Sequence, residues 1–246
     1  MTNLLPVKLT THTKGLKLES FISLNVSLCG YCRVQQADKL KICSQCYGAY
    51  MMNRYSNLKK ALEFNYRVLS TRILTSKECK DIGKKISGKK DLSGVRFDSI
   101  GELINDTHVQ NLENIVYEID IDKVPVTIWT KRPLLLFKVL DKPLFKVIVS
   151  TEYINTFKTV YQVQDELWKV YGLTFDILHT FNVYDDIDKM NADMEWCLNH
   201  DIDTAVCHGK CKDCMICYPV RNQRRLPYAI FELSKKAQMQ LSKVKS

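Results

Sequence analysis

The hydrophobic pattern alternates along the chain between short apolar runs rich in β-branched residues and longer segments with helical spacing. The short runs predict six β-strands, and apolar residues fall on one helical face in five of the segments between them. The predicted strands are 21–27, 95–99, 124–129, 145–150, 175–179 and 202–207. The predicted helices are 57–73, 107–119, 133–140, 159–171 and 185–198. This alternation is typical of α/β proteins with a parallel sheet or barrel.

Local signals support several of these helix boundaries. Asn57 is a suitable N-cap, and Thr107 with Gln110 has the spacing of a capping box. Pro133 suits a first helical turn, and Gly172 is expected to end a helix. The sequence therefore predicts a single domain over 1–246, built as an open partial TIM-like barrel of six parallel βα units. Its core is expected at 20–207, followed over 207–246 by a cysteine-rich segment and a basic tail.

Length, composition and charge limit the class of protein. The chain has 246 residues, 46% of them apolar, and no apolar stretch of membrane-spanning length, so we expect a soluble protein without a membrane partner. Residues 1–20 have no apolar core of a secretory signal, which favours the reducing cytoplasm. The formal charge is +9, and the end of the chain is basic. A basic tail is compatible with nucleic acid as a partner and, equally, with the solvated end of a helix. Its basic residues are Arg221, Arg224, Arg225, Lys235, Lys236, Lys243 and Lys245.

Cysteines provide the strongest chemical signal in the sequence. Eight of the ten lie in two groups, and pairs spaced Cys-x-x-Cys bring two sulfurs close enough to share a metal. Zinc and an iron–sulfur cluster both fit this spacing; disulfides or simple burial are the alternatives. Cys79 and Cys197 are isolated and expected only to be buried. The predicted metal ligands are Cys29, Cys32, Cys43 and Cys46 in the early group, and Cys207, Cys211, Cys214 and Cys217 in the late group.

The predicted strands place both cysteine groups at the same edge of the sheet. In parallel α/β folds the chemistry lies at the carboxyl ends of the strands, and Cys29 follows the first strand while Cys207 ends the sixth. Polar residues that follow the other predicted strands are expected to converge there. They are Asp98, Gly101 and Glu102, then Thr130 and Lys131, then Ser150 and Thr151, and finally His179 and Asn182.

This layout resembles the radical S-adenosylmethionine superfamily, whose core is a six-stranded partial barrel with cluster cysteines after the first strand. The run from Cys43 to Tyr47 is similar to the closing half of the family's cysteine motif, with Cys32 or Cys29 as the opening cysteine at a longer spacing. The pair Gly101-Glu102 resembles the family's Gly-Gly-Glu motif, which holds the methionine amino group. The resemblance implies a [4Fe-4S] cluster and S-adenosylmethionine, with Gly101, Glu102, Thr130 and Ser150 as expected cofactor-binding residues.

A second resemblance, over about residues 20–232, is to the phage family called gene product 88. It implies a phage or prophage origin, hence the host cytoplasm, and supplies no activity. The matching segments are Cys46-Tyr47, Arg96-Phe97 with Gly101-Glu102, Trp129-Thr130-Lys131, the run from Cys207 to Cys217 with Tyr218, and the short strand 228–231.

Two functions remain open from the sequence. The first is an S-adenosylmethionine-binding iron–sulfur enzyme, in which the late cysteines hold an auxiliary cluster or a structural zinc because Cys217 adds a fourth ligand. The second is a non-catalytic module in which two zinc ions staple the scaffold and the tail contacts nucleic acid or a host protein. The sequence assigns no catalytic residue and no substrate. It lacks a His-Glu-x-x-His helix and a phosphate-binding glycine loop.

Overall fold

A computed structural model of the protein describes residues 5–12, 18–175, 177, 179–218, 228–234 and 237–239. Within these residues the chain forms one α/β sheet of eight strands. The strands are β1 Leu9–Thr11, β2 Phe21–Leu24, β3 Gly94–Phe97, β4 Val126–Thr130, β5 Lys146–Ser150, β6 His179–Tyr184, β7 Thr204–Val206 and β8 Tyr228–Leu233.

The sheet is mostly parallel and open. Its order is β1-β2-β3-β4-β5-β6-β8-β7, and only the edge strand β1 runs antiparallel to its neighbour. From β2 to β6, strands that are adjacent in the sheet are also consecutive in the chain and run parallel to each other. Each connection therefore leads from the carboxyl end of one strand back to the amino end of the next. All the carboxyl ends of these strands therefore meet at one edge.

Helices fill the connections between the strands. They are α1 Gly30–Ala37, α2 Tyr47–Arg54, α3 Ser56–Thr71, α4 Ser76–Ser87, α5 Asp106–Tyr117, α6 Pro133–Val139, α7 Val160–Tyr171, α8 Ile187–Leu198 and the short α9 Cys211–Cys214. A 3₁₀ turn, Ile42–Gln45, separates α1 from α2. Thus the first crossover, from β2 to β3, carries four helices as well as the early cysteines.

The two faces of the sheet pack against different parts of the chain. Alternate strand residues such as Leu24, Phe97 and Ile128 pack with Leu112 of α5 and Val163 of α7 in the main core. Side chains alternate between faces along a strand, so the residues between these point to the opposite side. That side carries a smaller cluster with the late cysteine segment packed on it, built from Trp129, Ile148, Phe181, Ile230, Ile216, Cys207 and Cys217.

The sequence prediction was wrong about the number and order of strands. It gave six strands, whereas the described residues contain eight, and β8 lies between β6 and β7. The predicted strand 175–179 is also displaced, since β6 begins at His179 and continues to Tyr184. The reason is that β6 buries polar residues: His179, Thr180 and Asn182 are each fully buried, so the strand does not read as an apolar run.

Some helix starts were also mispredicted. The helix expected at Asn57 begins one residue earlier, at Ser56, and its N-cap makes no side-chain bond. The predicted capping box of Thr107 and Gln110 is replaced by Asn105, whose side-chain oxygen accepts from the backbone N–H of His108 at 3.0 Å. Helix α4 was not predicted at all, although Thr75 and Glu78 form a complete capping box at its start.

Among the residues that the structure describes, none of the helices combines the length and the apolar character needed to cross a bilayer.

Candidate functional site

A cavity of about 350 Å³ opens at the carboxyl ends of the parallel strands. One wall is formed by the segment between β2 and β3 that carries the early cysteines. The other walls are formed by the strand ends and by the sheet face opposite the main core. Trp129 and Phe181 form its apolar floor, with ring centroids 4.3 Å apart. The polar residues on the walls are Tyr31, Gln36, Gln45, Arg96, Asp98, Ser99, Glu102, Lys131, Ser150, Glu232 and Ser234.

Three cysteines of the early group lie on the walls of this cavity: Cys32, Cys43 and Cys46. Cys32 is in α1, Cys43 is in the 3₁₀ turn, and Cys46 immediately precedes α2. Cys29 is 4% exposed and lies off the wall, with its Sγ 3.5 Å from Cys32 Sγ. The structure thus brings the four predicted ligands of the early group to one region.

The early cysteine segment is tied to the end of β5 by Glu152. Tyr31 Oη donates to Glu152 Oε1 at 2.5 Å, and Lys41 Nζ donates to Oε2 at 3.1 Å. The backbone joins too, since the Ile42 N–H donates to the Glu152 carbonyl oxygen at 2.9 Å. This attachment holds the early cysteine segment against the end of β5, beside the cavity.

Thiol acidity differs within the early group. The contact with the Cys32 thiol lowers the pKa of Cys29 to about 6, whereas the same contact together with burial raises the pKa of Cys32. Burial raises the pKa of Cys43, and the ammonium group of Lys131 acts in the opposite direction. The cavity therefore holds a basic side chain where thiolates would otherwise accumulate negative charge.

The residues predicted to bind a cofactor have two different roles in the structure. Gly101, Glu102 and Ser150 lie on the cavity wall. Thr130 is fully buried behind the wall, and its hydroxyl donates to Glu102 Oε1 at 2.5 Å. Glu102 Oε2 accepts from the Lys131 backbone N–H at 2.8 Å, so both oxygens of this carboxylate already have protein partners.

Gly101 is required where it is by a close backbone approach. Its φ is +94°, and a Cβ at this position would lie 2.5 Å from the carbonyl oxygen of Val26. Gly48 of α2 is also close to this loop, because its Cβ would lie 2.8 Å from Ile100 Cγ2. The loop that carries Glu102 is therefore fixed between β2 and the helix that follows the early cysteines.

The late cysteines surround a second cavity of about 50 Å³. Cys207 follows β7 and donates its backbone N–H to the Phe231 carbonyl oxygen at 2.8 Å. Cys211 and Cys214 are the first and last residues of α9. Burial raises the pKa of Cys217, and the thiols of Cys211, Cys207 and Cys214 raise it further, as expected for four neighbouring thiols. Trp129 lines both cavities and so forms the partition between them.

The donor chemistry of both groups fits a thiophilic metal. All ten cysteines are free, and Cys79 and Cys197 are buried away from both groups, as predicted. In the described parts of the chain, however, no three His, Cys, Asp or Glu side chains are already arranged to hold a metal ion. The chain thus supplies two sets of thiols, and metal binding is an inference from their chemistry and placement.

Several other predicted positions differ from expectation or fall outside the described residues. His179 begins β6 instead of following a strand, and its Nε2 contacts the Ile216 carbonyl oxygen at 3.0 Å. Asn182 lies within β6, where its Oδ1 accepts from the Lys158 backbone N–H at 3.0 Å. The basic tail lies outside the described residues at each of its predicted positions: Arg221, Arg224, Arg225, Lys235, Lys236, Lys243 and Lys245.

Sequence reasoning gave too little weight to a polar group on the cavity wall. Asp98 is 5% exposed, and in the described structure neither of its carboxylate oxygens has a hydrogen-bond partner. Arg96 lies two residues earlier, with its guanidinium carbon 3.9 Å from the centre of the Trp129 indole. An arginine inside the predicted strand 95–99 was the available signal, because such a residue must face a polar site or be paired.

Burial raises the pKa of Asp98 well above its usual range. The nearby Glu102 carboxylate and Cys29 thiol raise this pKa further, and only Arg96 opposes them. Two of the three ionisable groups that act on Asp98 are therefore acidic, and one is basic.

Comparisons with known proteins give the site no outside assignment. The chain matches no family model, and neither a curated protein nor a solved structure was found to be similar to it.

Proposed function

We propose that this protein is an iron–sulfur enzyme that binds S-adenosylmethionine in the larger cavity. The observation that supports this proposal best is the position of Cys32, Cys43 and Cys46 on the walls of the same cavity as Glu102 and Ser150. A cavity of about 350 Å³ has the size of a small-molecule site, for which roughly 300–1,000 Å³ is typical. A redox cofactor and a second small molecule would thus meet at one place.

Each group of residues has a part in this proposal. Cys32, Cys43 and Cys46 would hold a [4Fe-4S] cluster, with Cys29 beside Cys32 as the alternative ligand. Such a cluster, when bound, supplies one-electron chemistry. Lys131 offsets part of the negative charge of the thiolates, and Trp129 with Phe181 excludes water from the floor. Substrate and catalytic residue are not assigned.

The proposal extends to fold and origin. Strands β2 to β6 lie in chain order, as they do in βα barrels, so we include a curved partial barrel in the proposal. Membership of the phage gene product 88 family, and hence a place in the host cytoplasm, rests on the short motifs alone. The late cysteines would hold an auxiliary cluster or a structural zinc ion.

The convergence of the late cysteines favours a second candidate, a zinc-stapled binding module without catalysis. Their cavity is small, about 50 Å³, and is bounded by apolar residues such as Ile216 and Ile230. A closed four-thiolate site in such surroundings is typical of structural zinc. If the early group also held zinc, the basic tail would be the region to test for contact with nucleic acid or a host protein.

Calorimetric titration with S-adenosylmethionine tests the main proposal. Three anaerobically purified, cluster-reconstituted proteins are compared: the wild type, a Cys43→Ser/Cys46→Ser double variant, and Cys79→Ser as the control. Cys79 is a buried cysteine of α4 outside both groups. We expect binding by the wild type and the control, and none by the double variant. No binding by the wild type, or equal binding by all three, contradicts the proposal.

A further inference from the structure

The larger cavity contains a buried acceptor that the protein itself does not satisfy. Both carboxylate oxygens of Asp98 are buried without a hydrogen-bond partner in the described structure, and the residue lines the cavity. Most buried polar side chains have partners, because a desolvated acceptor without one is destabilising. Among the described residues, Gln36, Arg96 and Trp129 of the same cavity carry buried unpartnered donors. Asp98 carries the unpartnered acceptor, so its partner must come from outside the protein's own hydrogen bonds.

The backbone conformation holds Asp98 at the cavity wall. Its φ is +52°, in the left-handed region, at the point where β3 ends. Its backbone N–H donates to the Leu24 carbonyl oxygen at 3.0 Å, which fixes the residue against β2. Left-handed backbone at a residue other than glycine is uncommon and is concentrated at binding and active sites.

The neighbouring carboxylate provides a matched contrast. Glu102 lies on the same cavity wall, but each of its two oxygens already has a protein partner: Oε1 accepts from the Thr130 hydroxyl and the Leu103 backbone, and Oε2 accepts from the Lys131 backbone. The sequence prediction gave Glu102 the role of binding an amino group, whereas the structure leaves Asp98 as the carboxylate without any protein partner among the described residues.

We infer that Asp98 is the anchoring carboxylate of a binding site for an organic cation that carries an ammonium group. Burial and the nearby Glu102 carboxylate raise the pKa of Asp98, so a cation beside it is what keeps Asp98 ionised. An ammonium group has three donors and a positive charge, so it can do this and satisfy both oxygens of the resulting carboxylate. The nearby Glu102 carboxylate favours a cation over a neutral donor, and the cavity has room for the rest of such a molecule. Two sources have this chemistry: the aminoacyl end of S-adenosylmethionine, or a separate amine such as an amino acid or a polyamine.

Ammonium binding at Asp98 is tested by probes other than S-adenosylmethionine, so its failure and the failure of the proposed function are distinguishable. Isothermal calorimetry on the cluster-reconstituted full chain uses S-adenosylmethionine, L-lysine, spermidine and n-butylamine, with 1-butanol as the neutral partner of n-butylamine. Asp98→Asn and Asp98→Gly remove the charge, and both residues tolerate the left-handed backbone. Glu232→Gln is the control, since Glu232 lines the same cavity at another strand.

We expect at least one ammonium probe to bind the wild type, and its affinity to fall ~10- to 100-fold in both Asp98 variants, as for loss of a charged hydrogen bond. Glu232→Gln should stay within about twofold, and 1-butanol should bind no better to the wild type than to Asp98→Asn. Binding of S-adenosylmethionine alone identifies the cofactor as the source; binding of another amine without it supports Asp98 and removes the cofactor proposal.

Three results would overturn the inference. The first is that no ammonium probe binds the wild type. The second is that the Asp98 variants bind as tightly as the wild type while unfolding at the same temperature. The third is an equal loss in Glu232→Gln, which would show a general attraction of cations to the cavity and no specific role for Asp98.

Discussion

Replacing Gly101 by alanine should destabilise the protein through both the backbone and a direct overlap. An alanine at φ +94° is in a region that L-residues rarely adopt, and its Cβ would lie 2.5 Å from the Val26 carbonyl oxygen and 2.6 Å from Val26 Cγ2. A left-handed conformation costs about 1–2 kcal/mol, and overpacking adds about 1–3 kcal/mol. Part of this is recovered because alanine restricts the unfolded chain, by about 0.4–1 kcal/mol.

The expected net loss in the free energy of unfolding is therefore about 1–5 kcal/mol, or roughly 2–20 °C in Tm for a chain of this size. Gly172→Ala is the matched control, because Gly172 has φ +67° but no atom within 4 Å of the position that a Cβ would occupy. It should lose only about 1 kcal/mol. Gly30→Ala, with neither strain nor overlap, should be neutral or stabilising by up to about 1 kcal/mol, because only the restriction of the unfolded chain remains.

Urea unfolding of the three variants, followed by circular dichroism, measures these differences. The order Gly101→Ala, then Gly172→Ala, then Gly30→Ala in decreasing destabilisation is the expected result. If Gly101→Ala were no less stable than Gly172→Ala, the close approach of the Gly101 loop to Val26 would be refuted. The account of how Glu102 reaches the cavity wall would then fail with it.

Two further predictions concern the late cysteines and a helix cap. Cys214→Ser should lower both metal content and Tm, because metal-linked folding energies can reach roughly 10 kcal/mol; full metal occupancy with wild-type Tm would refute a four-cysteine site. The Arg72 guanidinium, 2.6 Å from Glu78, lowers the pKa of Glu78 to about 2 from 4.5. This ion pair stabilises the fold fully above about pH 4.5, and the contribution is lost as the pH falls through about 2. Glu78→Gln should therefore lower the free energy of unfolding by ~1 kcal/mol or less at pH 7, after solvent screening, and leave it nearly unchanged at pH 2. A cost that does not change with pH in urea titrations contradicts that assignment.

Much of the fold could be predicted because most strands bury apolar side chains on both faces. Strands such as β3, β4 and β5 read directly as apolar runs, and their ends are correct to within about two residues. Strand β6 could not be placed in this way, because its buried His179 and Asn182 are satisfied by distant backbone groups. The insertion of β8 beside β6 depends on contacts between residues far apart in the chain.

The cysteines of the candidate site and the positions of its carboxylates were predictable, whereas the hydrogen-bond partners of the carboxylates were not. Short Cys-x-x-Cys spacing marks a local cluster, so the early and late groups were visible in the sequence. Which of Asp98 and Glu102 is open to a ligand depends on partners from other strands, such as Thr130. No spacing rule gives that information, since Thr130 lies 28 residues from Glu102.

The central claim is that the early cysteines hold an iron–sulfur cluster, and the metal and sulfide content of the wild-type protein tests it most directly. The measurement uses anaerobically purified protein, with iron, zinc and acid-labile sulfide quantified per chain and the absorbance spectrum recorded. The account predicts brown protein with about four iron and four sulfide ions per early site and absorbance near 400 nm from sulfur-to-iron charge transfer. Colourless protein that contains zinc without sulfide would contradict it.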